Sequence, residues 1–476
     1  MRTNRINKYV VIVSCSLLLA GCISPLKQRQ ENKTVPVSFN NSRDTVNSAK
    51  LKWKEFFTDP YLAALIDTAL SNNQELNIML QEINIAQNEI RARKGEYLPF
   101  IGLGAGAGLE KVGEYTRAGA TEENLEIKPG KKFPDPLPDF YFGANASWEV
   151  DIWKKLRNAK KSAVFRYLSS TEGKNFMVTN LISEIASSYY ELMALDNQLE
   201  ILKQNITIYQ NSLEIVKLEK QAAKVTELAV RRFEAEVLKN QSRQFHILQA
   251  IVETENRINF LVGRFPQPVL RNSQTFQGLL PPSVKTGIPT QLLQNRPDIR
   301  QAELALAAAK LDIKVAKANF YPSLRITAGV GYQAFNAKYL VTSPQSLMYT
   351  LAGELMAPLI NRNAIKAYYY TATSKQIQAA YDYERTILNA YIEVTNQVSN
   401  ISNLEQSYNL RAQQVDALTE SISISTRLFR SARADYMEVL LTQRDAVEAR
   451  FELVETKMQQ MQAVVNVYRA LGGGWN

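Results

Sequence analysis

The chain contains few of the side chains that catalysis or metal binding requires. Its 476 residues include two cysteines and one histidine, His246. A zinc cage would need more ligands of this kind, and a serine or cysteine triad would depend entirely on that one histidine. Met437, Met458 and Met461 are copper-binding candidates, but methionines on helices more often fill cores. We therefore predict no catalytic residue, no metal site and no noncovalent cofactor.

A glycine-rich segment is the second chemical candidate. Residues 102–108 contain glycine at every second position. A phosphate-binding loop would end in Gly-Lys-Ser or Gly-Lys-Thr, and this segment does not. Its alternation is typical of a β-strand, so we predict a strand and not a nucleotide site.

Cys22 has the clearest chemical role. A basic stretch without acidic residues precedes the apolar run Tyr9–Ala20, which is too short to span a bilayer and is typical of a signal peptide. Leu19-Ala-Gly-Cys22 resembles the bacterial lipobox, in which the cysteine thiol takes a diacylglyceryl thioether. We predict a signal peptide over 1–21 and a covalent lipid on Cys22. Ile23 favours the outer membrane, because an aspartate there would resemble an inner-membrane retention signal. The alternative is a chance cysteine in an ordinary signal peptide.

Charge and hydropathy narrow the class of protein. The chain has 56 Lys+Arg against 46 Asp+Glu and a net charge of +10. These charges are spread over long helical patterns, so they do not indicate a nucleic-acid partner. Beyond the N-terminus the sequence has no run of about 18 to 20 apolar residues, which argues against transmembrane helices in the mature chain. This argument does not exclude transmembrane β-strands, because their alternation leaves the average hydropathy near zero.

An internal repeat organises the rest of the chain. Residues 225–230 resemble 434–439, residues 260–263 resemble 469–472, and residues 94–108 resemble 317–331. A Pro-rich linker separates the two copies. The predicted order is signal peptide 1–21, lipid-anchored N-terminal segment 22–60, first repeat 61–263, linker 264–289 and second repeat 290–476.

Each repeat contains two segments with period-two alternation. In residues 101–109, for example, Ile, Leu and Ala alternate with glycine. Strands are predicted over about 99–110, 139–152, 322–334 and 346–358. Aromatic residues cluster near their ends: Tyr97, Phe100, Trp148, Trp153, Phe320, Tyr321 and Phe335. Alternating strands of about ten residues with flanking aromatics are typical of a transmembrane β-barrel. The alternative is a soluble sheet with two different faces.

Four strands are too few to close a barrel, because even small closed barrels need about eight. We therefore predict that the chain oligomerises and that each copy contributes part of one wall. The strand count leaves two, three or four copies open. Three copies, giving twelve strands, is the preferred solution.

Long helical patterns fill the remainder of each repeat. From about Asn158 to Lys224 apolar residues recur in steps of three and four, which is typical of a coiled-coil seam. At 1.5 Å per residue the pattern would span roughly 100 Å. Two shorter helices stacked end to end match this length, for instance Tyr61–Tyr97 and Thr226–Val262. We predict helical hairpins over about 158–262 and 363–471, and a second-repeat helix over about 290–320.

Helix boundaries carry their own signals. Asp59 before Pro60 and Asn295 ahead of Pro297 mark predicted helix starts. Pro99 and Pro322 mark the ends of the helices that lead into strands.

Four motifs resemble the outer-membrane efflux lipoproteins of the TolC/OprM type. In chain order they are the lipobox ending at Cys22, Trp148-Glu-Val-Asp-Ile-Trp153, Asn295-Arg-Pro-Asp-Ile-Arg-Gln-Ala-Glu303 and Tyr468-Arg-Ala-Leu-Gly-Gly-Gly-Trp475. The similarity covers essentially the whole mature chain. Arg296 and Asp298, within the second of the longer motifs, are predicted to have a structural role.

The resemblance implies a mainly α fold with a small transmembrane β part. Long antiparallel helical hairpins would form an α-barrel tunnel in the periplasm, and four strands per protomer would contribute to a shared 12-stranded β-barrel of a homotrimer. Segments 22–60 and 264–289 would be equatorial. The implied partners are outer-membrane lipid, a periplasmic membrane-fusion adaptor and an inner-membrane pump of the resistance-nodulation-division class. The implied function is passive conduction of substrates out of the cell by a lipid-anchored outer-membrane channel.

The resemblance also implies a gate near the periplasmic end. Acidic side chains on the last hairpin narrow the aperture in this family, and Glu438 corresponds to one of them. Asp435 and Arg433 are nearby alternatives, and a solvated helix charge is the simpler interpretation of Glu438. The family's glycine after the strand aromatic is replaced here by Lys154, which affects the bend between barrel and tunnel.

The hairpin turns are the predicted tips where an adaptor docks. They consist of Ala222, Ala223, Lys224 and Val225 in the first repeat, and of Ser431 and Ala432 in the second. Helical hairpins offer reusable surfaces for other helices. The simpler interpretation is loop closure without a partner.

Two other functions remain compatible with the sequence. The same fold serves as the exit channel of type I secretion. A lipid-anchored coiled-coil structural protein would share the helical pattern but would not span the membrane. Neither the cargo nor the identity of the pump follows from the sequence.

Overall fold

The computed structural model describes residues 26–39, 45–431 and 433–475. The predicted signal peptide, the lipidation residue Cys22 and the tip residue Ala432 lie outside the described residues. The described chain is mainly helical with a small antiparallel sheet, which confirms the predicted fold class at this level.

Two very long helices dominate the described chain. The helices are α1 Trp53–Phe56, α2 Pro60–Asn72, α3 Gln74–Tyr97, α4 Arg117–Asn124, α5 Lys155–Gln221, α6 Glu227–Val262, α7 Leu292–Asn295, α8 Pro297–Ala318, α9 Asn363–Arg430 and α10 Tyr436–Ala470. Helices α5 and α9 have 67 and 68 residues. At 1.5 Å per residue each is roughly 100 Å long.

The strands form one sheet and one short hairpin. They are β1 Phe100–Glu110, β2 Glu126–Lys128, β3 Lys131–Lys132, β4 Leu137–Val150, β5 Ser323–Ala334 and β6 Leu347–Met356. The four long strands pair antiparallel in the order β1-β4-β5-β6, and β2 and β3 pair with each other in a separate two-stranded sheet. Strands from the two sequence repeats therefore meet at the β4–β5 pair in the middle of the sheet.

The turn from β4 into α5 differs from the prediction. Strand β4 ends at Val150, and α5 begins at Lys155, three residues before the predicted Asn158. The Asp151 carboxylate accepts hydrogen bonds from the backbone N–H groups of Leu156 (3.0 Å) and Arg157 (2.9 Å), which caps the helix early. Lys154 has φ 59°, in the left-handed region that favours glycine. Lys154 therefore occupies the position of the family's glycine and adopts the backbone conformation that favours glycine.

The predicted continuous helix over 61–97 is wrong in one respect, because it breaks at Asn73. Asn73 adopts an extended conformation (ψ 126°). Its side-chain oxygen accepts from the Leu76 N–H (2.9 Å) and its side-chain nitrogen donates to the Leu261 carbonyl (2.9 Å). A buried asparagine with partners on both sides therefore ends α2 and starts α3.

The predicted helix over 290–320 is also interrupted. Asn295 is the last residue of the short helix α7, and Arg296 is extended before α8 begins at Pro297. The sequence suggested that Asn295 caps the helix that begins at Pro297, but in the structure Asn295 does not cap α8 directly. Asp298 in the first turn instead accepts from the Ile299 N–H at 2.9 Å.

Equivalent glycines end the last helix of each repeat. Gly263 after α6 has φ 77°, and Gly472 after α10 has φ 88°. A Cβ at either position would lie 2.5 Å from a backbone oxygen, that of Asn72 in the first repeat and of Asn295 in the second. Only glycine fits such an approach at positive φ. The internal duplication thus extends to individual backbone contacts.

The chain divides into two compact units. One contains residues up to 31, 90–163 and 306–381, and the other contains 32–89, 164–305 and the remainder from 382. The first holds the four-stranded sheet, and the second holds most of the helical hairpins and the largest buried apolar cluster. Each unit includes parts of both sequence repeats, so a single repeat is not a compact body.

None of the helices in the described ranges has both the length and the apolar composition needed to cross a membrane.

Candidate functional site

The four-stranded sheet separates its side chains into two chemically different faces that stay in register across all strands. Leu103, Ala144, Val330 and Tyr349 are directly opposite one another on successive strands. The neighbouring positions Gly102, Asn145, Gly329 and Thr350 form the next row. Because side chains alternate along a strand, the first row lies on one face and the second on the other.

The apolar face is exposed. In the single chain Leu103 is 89%, Tyr349 80% and Leu351 77% exposed. Soluble proteins rarely leave a contiguous apolar surface of this kind uncovered. Tyr349 was missed by the sequence prediction, although its alternation with Leu347 and Leu351 would have placed it on this face.

The opposite face carries mainly small and polar side chains, and its larger members include Tyr141, Met348 and Met356. Asn145 and Thr350 flank Gly329, and Gln333 donates to the Asp139 carboxylate at 3.0 and 2.9 Å. At the end of the sheet nearest the helices, Glu149 and Glu354 occupy the positions on either side of Arg325. This face can therefore line water, whereas the apolar face cannot.

The predicted interface aromatics gather mainly at the end of the sheet where the helices attach. The Trp148 indole donates to the Tyr97 carbonyl (3.2 Å), and the Trp153 indole donates to the Pro322 carbonyl (2.7 Å). Trp153 also stacks on Tyr321 at 4.7 Å between ring centroids. Phe100 is 73% exposed at the start of β1. An apolar ring with a satisfied polar tip is typical of a membrane–water boundary.

Two other predicted aromatics lie elsewhere. Phe320 packs edge-on against Tyr369 in a helical core, so it is not part of this group. Phe335 lies at the opposite end of the sheet, 5.4 Å from the ring of Tyr339.

The turn at the first predicted tip is closed by backbone hydrogen bonds. The Lys224 N–H donates to the Glu219 carbonyl and the Ala223 N–H donates to the Lys220 carbonyl, both at 2.9 Å. Ala223 has φ 56°. This is the Schellman pattern for ending a helix, with alanine at the position that usually holds glycine. Ala222, Ala223 and Lys224 are exposed, and Val225 is half-buried.

Backbone hydrogen bonds also close the described part of the second tip. The Arg433 N–H donates to the Leu428 carbonyl at 2.9 Å, and the Ser431 N–H donates to the Arg427 carbonyl at 3.1 Å. The three aperture candidates follow directly: Arg433, Asp435 and Glu438 are all exposed, and the Glu438 N–H donates to the Asp435 carbonyl at 3.1 Å. The structure therefore brings these three residues together on one exposed turn.

The two tips share one apolar cluster. Tyr209 and Val216 from α5 and Phe233 from α6 are buried with Leu440 from α10, and Val225 and Met437 pack at its edge. Arg243 on α6 also pairs with Glu448 on α10 at 2.9 Å. The first and second hairpins are thus packed side by side at their ends, which the sequence did not predict.

Ion pairs distinguish the two tips. Glu227 at the start of α6 pairs with Lys220 and with Arg231 (2.8 Å), so it joins both helices of the first hairpin. The hydrogen bond from Lys220 holds the pKa of Glu227 below its usual range. Within the described residues, no ion pair involves Arg433, Asp435 or Glu438. The second turn is therefore held by its backbone bonds and its apolar contacts.

The Asn-Arg-Pro-Asp motif and the C-terminal motif meet in one buried network. Arg296 is 7% exposed and donates to both oxygens of Asp298 (3.0 and 2.7 Å), to Glu393 (2.8 Å) and to the Ala470 carbonyl (2.6 Å). The Trp475 indole donates to the Asn295 carbonyl at 3.2 Å. All of these contacts join protein groups to one another, and this geometry fits the structural role predicted for Arg296 and Asp298.

The remaining chemical candidates occupy ordinary positions. Met461 is buried and Met458 is half-buried in the main apolar cluster, while the Met437 sulfur accepts from Arg232 at 2.8 Å. His246 is exposed on α6.

Comparison with known proteins identifies the family. The model of the outer membrane efflux protein family matches residues 65–264 and 288–473. The pyoverdine export outer membrane protein OpmQ of Pseudomonas aeruginosa is 27% identical over 475 residues, covering 98% of this chain and 97% of that protein. The probable outer membrane lipoprotein SilC of Salmonella typhimurium is 24% identical over 470 residues, covering 97% of this chain and 98% of that protein.

A solved structure shares the fold. The open state of the Neisseria gonorrhoeae MtrE outer membrane channel matches with a TM-score of 0.81 at 22% identity, covering 96% of this chain and 99% of that chain. This likeness concerns the fold, while the family match confirms the predicted resemblance and the predicted class of function, efflux across the outer membrane. The chain belongs to the outer membrane efflux protein family.

Proposed function

We propose that the chain is the exit duct of a tripartite efflux pump, which conducts substrates passively from a periplasmic adaptor and an inner-membrane pump to the exterior. One observation carries this proposal: the sheet has an exposed apolar face and a small, polar face that remain in register over four strands. Lipid would cover the first face and water the second. The energy for transport would come from the pump, and we assign the chain no catalytic step.

Closure of the wall requires further copies of the chain. Among the described strands, β1 and β6 each have one neighbour in the sheet, so one edge of each has no strand partner there. In a membrane those backbone groups must find partners. Pairing of β6 with β1 of the next copy would close a ring, and three copies would supply twelve strands.

The helices would continue the duct into the periplasm. Helices α5 and α9, each roughly 100 Å long at 1.5 Å per residue, would be the long walls of the tunnel. The turns at Ala222–Val225 and at Ser431 would be the adaptor-binding tips. Their shared apolar cluster supports a common docking surface, because it fixes the two turns next to each other.

The aperture would lie on the second hairpin. Glu438, Asp435 and Arg433 are exposed on a turn without ion pairs among the described residues, whereas Glu227 links both helices of the first hairpin through ion pairs. A turn with fewer restraints moves at a lower free-energy cost. This asymmetry supports gating by the second hairpin.

A lipid on Cys22 would anchor the N-terminal segment. Arg29, seven residues later, donates from its backbone to Gln376 (3.2 Å) and places its guanidinium 4.0 Å from the centre of the Tyr381 ring, so this segment is held on α9. An extended chain of seven residues reaches at most ~25 Å. The relative SilC is a probable outer membrane lipoprotein, which supports the anchor.

Conductance in planar bilayers tests the proposed duct. The purified oligomer should give discrete conductance steps, and Glu438→Ala should increase the open fraction. Glu420→Ala, which removes an exposed acid from α9 away from the turn, is the control and should behave like the unchanged protein. An oligomer that does not conduct, with or without Glu438→Ala, would sink the proposal and favour a structural coiled-coil protein.

A further inference from the structure

Three lysines converge on two aromatic rings at the end of the sheet opposite to the helices. The loops 111–136 and 335–346 join the strands at this end. The ammonium groups of Lys128 and Lys338 lie 4.5 and 4.8 Å from the centre of the Tyr339 ring, and that of Lys131 lies 5.2 Å from the centre of the Phe335 ring. The two rings are 5.4 Å apart. The loops thus gather three positive charges into one exposed cluster.

The local backbone brings Lys128 and Lys131 together. Strands β2 and β3 form a tight hairpin around Gly130, which has φ 76°, and their pairing sets Lys128 directly opposite Lys131. Like charges in directly opposite positions destabilise a strand pair. The nearest acid of the hairpin, Glu126, uses its carboxylate to accept from the Gly130 N–H at 2.9 Å. The hairpin therefore places two like charges together, while the Glu126 carboxylate binds the backbone of the turn.

The cluster has no internal counter-ion. Across the described residues, no carboxylate lies within ion-pair distance of Lys128, Lys131 or Lys338. Lys338 and then Lys128 hold the pKa of the Tyr339 phenol below its usual range, which agrees with an uncompensated positive field at the ring. A local arrangement that costs stability without a visible gain is a feature expected of binding sites.

We propose that Lys128, Lys131 and Lys338 bind the phosphate groups of a phosphorylated glycolipid in the outer leaflet, with Phe335 and Tyr339 lying at the membrane boundary. The inference rests on the proposed function, which places this end of the sheet at the external surface. Phe335 directly follows the last residue of β5, where a strand would leave the hydrocarbon region. Aromatic rings and basic side chains at that level contact headgroups.

A free phosphate ion or an anionic cargo leaving the duct could use the same ammonium groups. A membrane lipid is favoured because the cluster combines charge with apolar rings at a strand end. Each lysine near an anionic surface contributes ~1 kcal/mol, or about fivefold in affinity.

Binding of defined lipids to the purified full chain in neutral detergent tests this proposal. Three probes are compared by native mass spectrometry: diphosphorylated lipid A, the same glycolipid without its phosphates, and inorganic phosphate. We expect binding of the diphosphorylated glycolipid only. The double variant Lys128→Gln and Lys338→Gln should weaken it about 25-fold, from fivefold per lysine.

A charge-matched variant controls for a general effect of net charge. Arg117→Gln with Lys132→Gln removes two positive charges from the same loop but none from the rings, and it should change the affinity by less than about threefold. Equal losses in both double variants, or equal binding of the phosphate-free glycolipid, would overturn the proposal. Binding of inorganic phosphate or of anionic cargo without the glycolipid would also overturn it. Conductance of the same preparation separates failure of this inference from failure of the proposed duct. A protein that conducts but does not bind the glycolipid contradicts this inference alone.

Discussion

At the scale of single residues, Lys154 determines how the sheet joins the first long helix. Its positive φ lies between the end of β4 and the cap that Asp151 provides for α5. Residues other than glycine adopt this conformation at a cost of ~1–2 kcal/mol. The chain thus retains the backbone geometry at the junction while carrying a side chain that opposes it.

We expect Lys154→Gly to stabilise the folded chain by about 0.5–1 kcal/mol, because it removes that conformational cost. The measurement is the midpoint of urea unfolding of the purified protein. Lys160→Gly, within α5, should instead destabilise it by about 1 kcal/mol. If both variants lower the midpoint equally, the left-handed conformation of Lys154 is not a source of strain.

Arg296 is the residue with the largest expected effect on stability. Replacement by glutamine would leave Asp298 and Glu393 partly buried beside a neutral side chain, and breaking a buried ion pair in this way costs about 3–5 kcal/mol. Arg300→Gln is the matched control, because Arg300 is 43% exposed in its pair with Glu172 and should contribute less than about 1 kcal/mol. Urea unfolding of both variants gives the comparison. Similar small losses would show that the Arg296 network is dispensable.

Sequence patterns predicted these residues unevenly. The Asn295-to-Glu303 motif marked Arg296 and Asp298 as structural, but their partner Glu393 lies about a hundred positions away and carries no signal of its own. The start of α5 at Lys155 could not be predicted from the sequence either, because the Asp151 cap depends on the angle at which β4 ends.

At the scale of elements, strand period determined most of what could be predicted. Alternation in residues 101–109 identified which side chains share a face, since that requires only local geometry. The register of β4 against β5 pairs residues nearly two hundred positions apart, so it had to come from the structure. The break at Asn73 was missed for the same reason, because one of its partners is the Leu261 carbonyl.

The two faces of β5 should respond differently to charge. Ala328→Arg places a charge on the apolar face and should oppose insertion by about 2–4 kcal/mol if it lies near the bilayer midplane. Thr327→Arg, one residue earlier on the polar face, should insert normally. Urea-dependent folding into phosphatidylcholine vesicles measures the difference. Equal penalties would indicate that both faces contact the same environment.

At the scale of the whole molecule, the sequence repeat and the compact units do not coincide. Each unit contains residues of both repeats, and the central strand pair joins β4 of the first repeat to β5 of the second. The two hairpin tips also share one cluster. Duplication was visible in the sequence because it preserves local motifs such as the glycines at 263 and 472. The joint packing of the copies was not visible, because it depends on contacts distant in the sequence.

The central claim is that the polar face of the sheet lines a conducting path. A single cysteine at Asn145 or at Ala144 tests it directly, because these adjacent residues lie on opposite faces and in neighbouring rows. The chain's own cysteines are Cys15, predicted to leave with the signal peptide, and Cys22, predicted to carry lipid, so neither should react.

The measurement is single-channel conductance in planar bilayers before and after a charged, membrane-impermeant methanethiosulfonate reagent is added. We predict that Asn145→Cys loses a large part of its conductance after modification and that Ala144→Cys is unaffected. An equal response at both positions, a block at Ala144→Cys alone, or no conductance in either protein would contradict the assignment of the polar face to the channel.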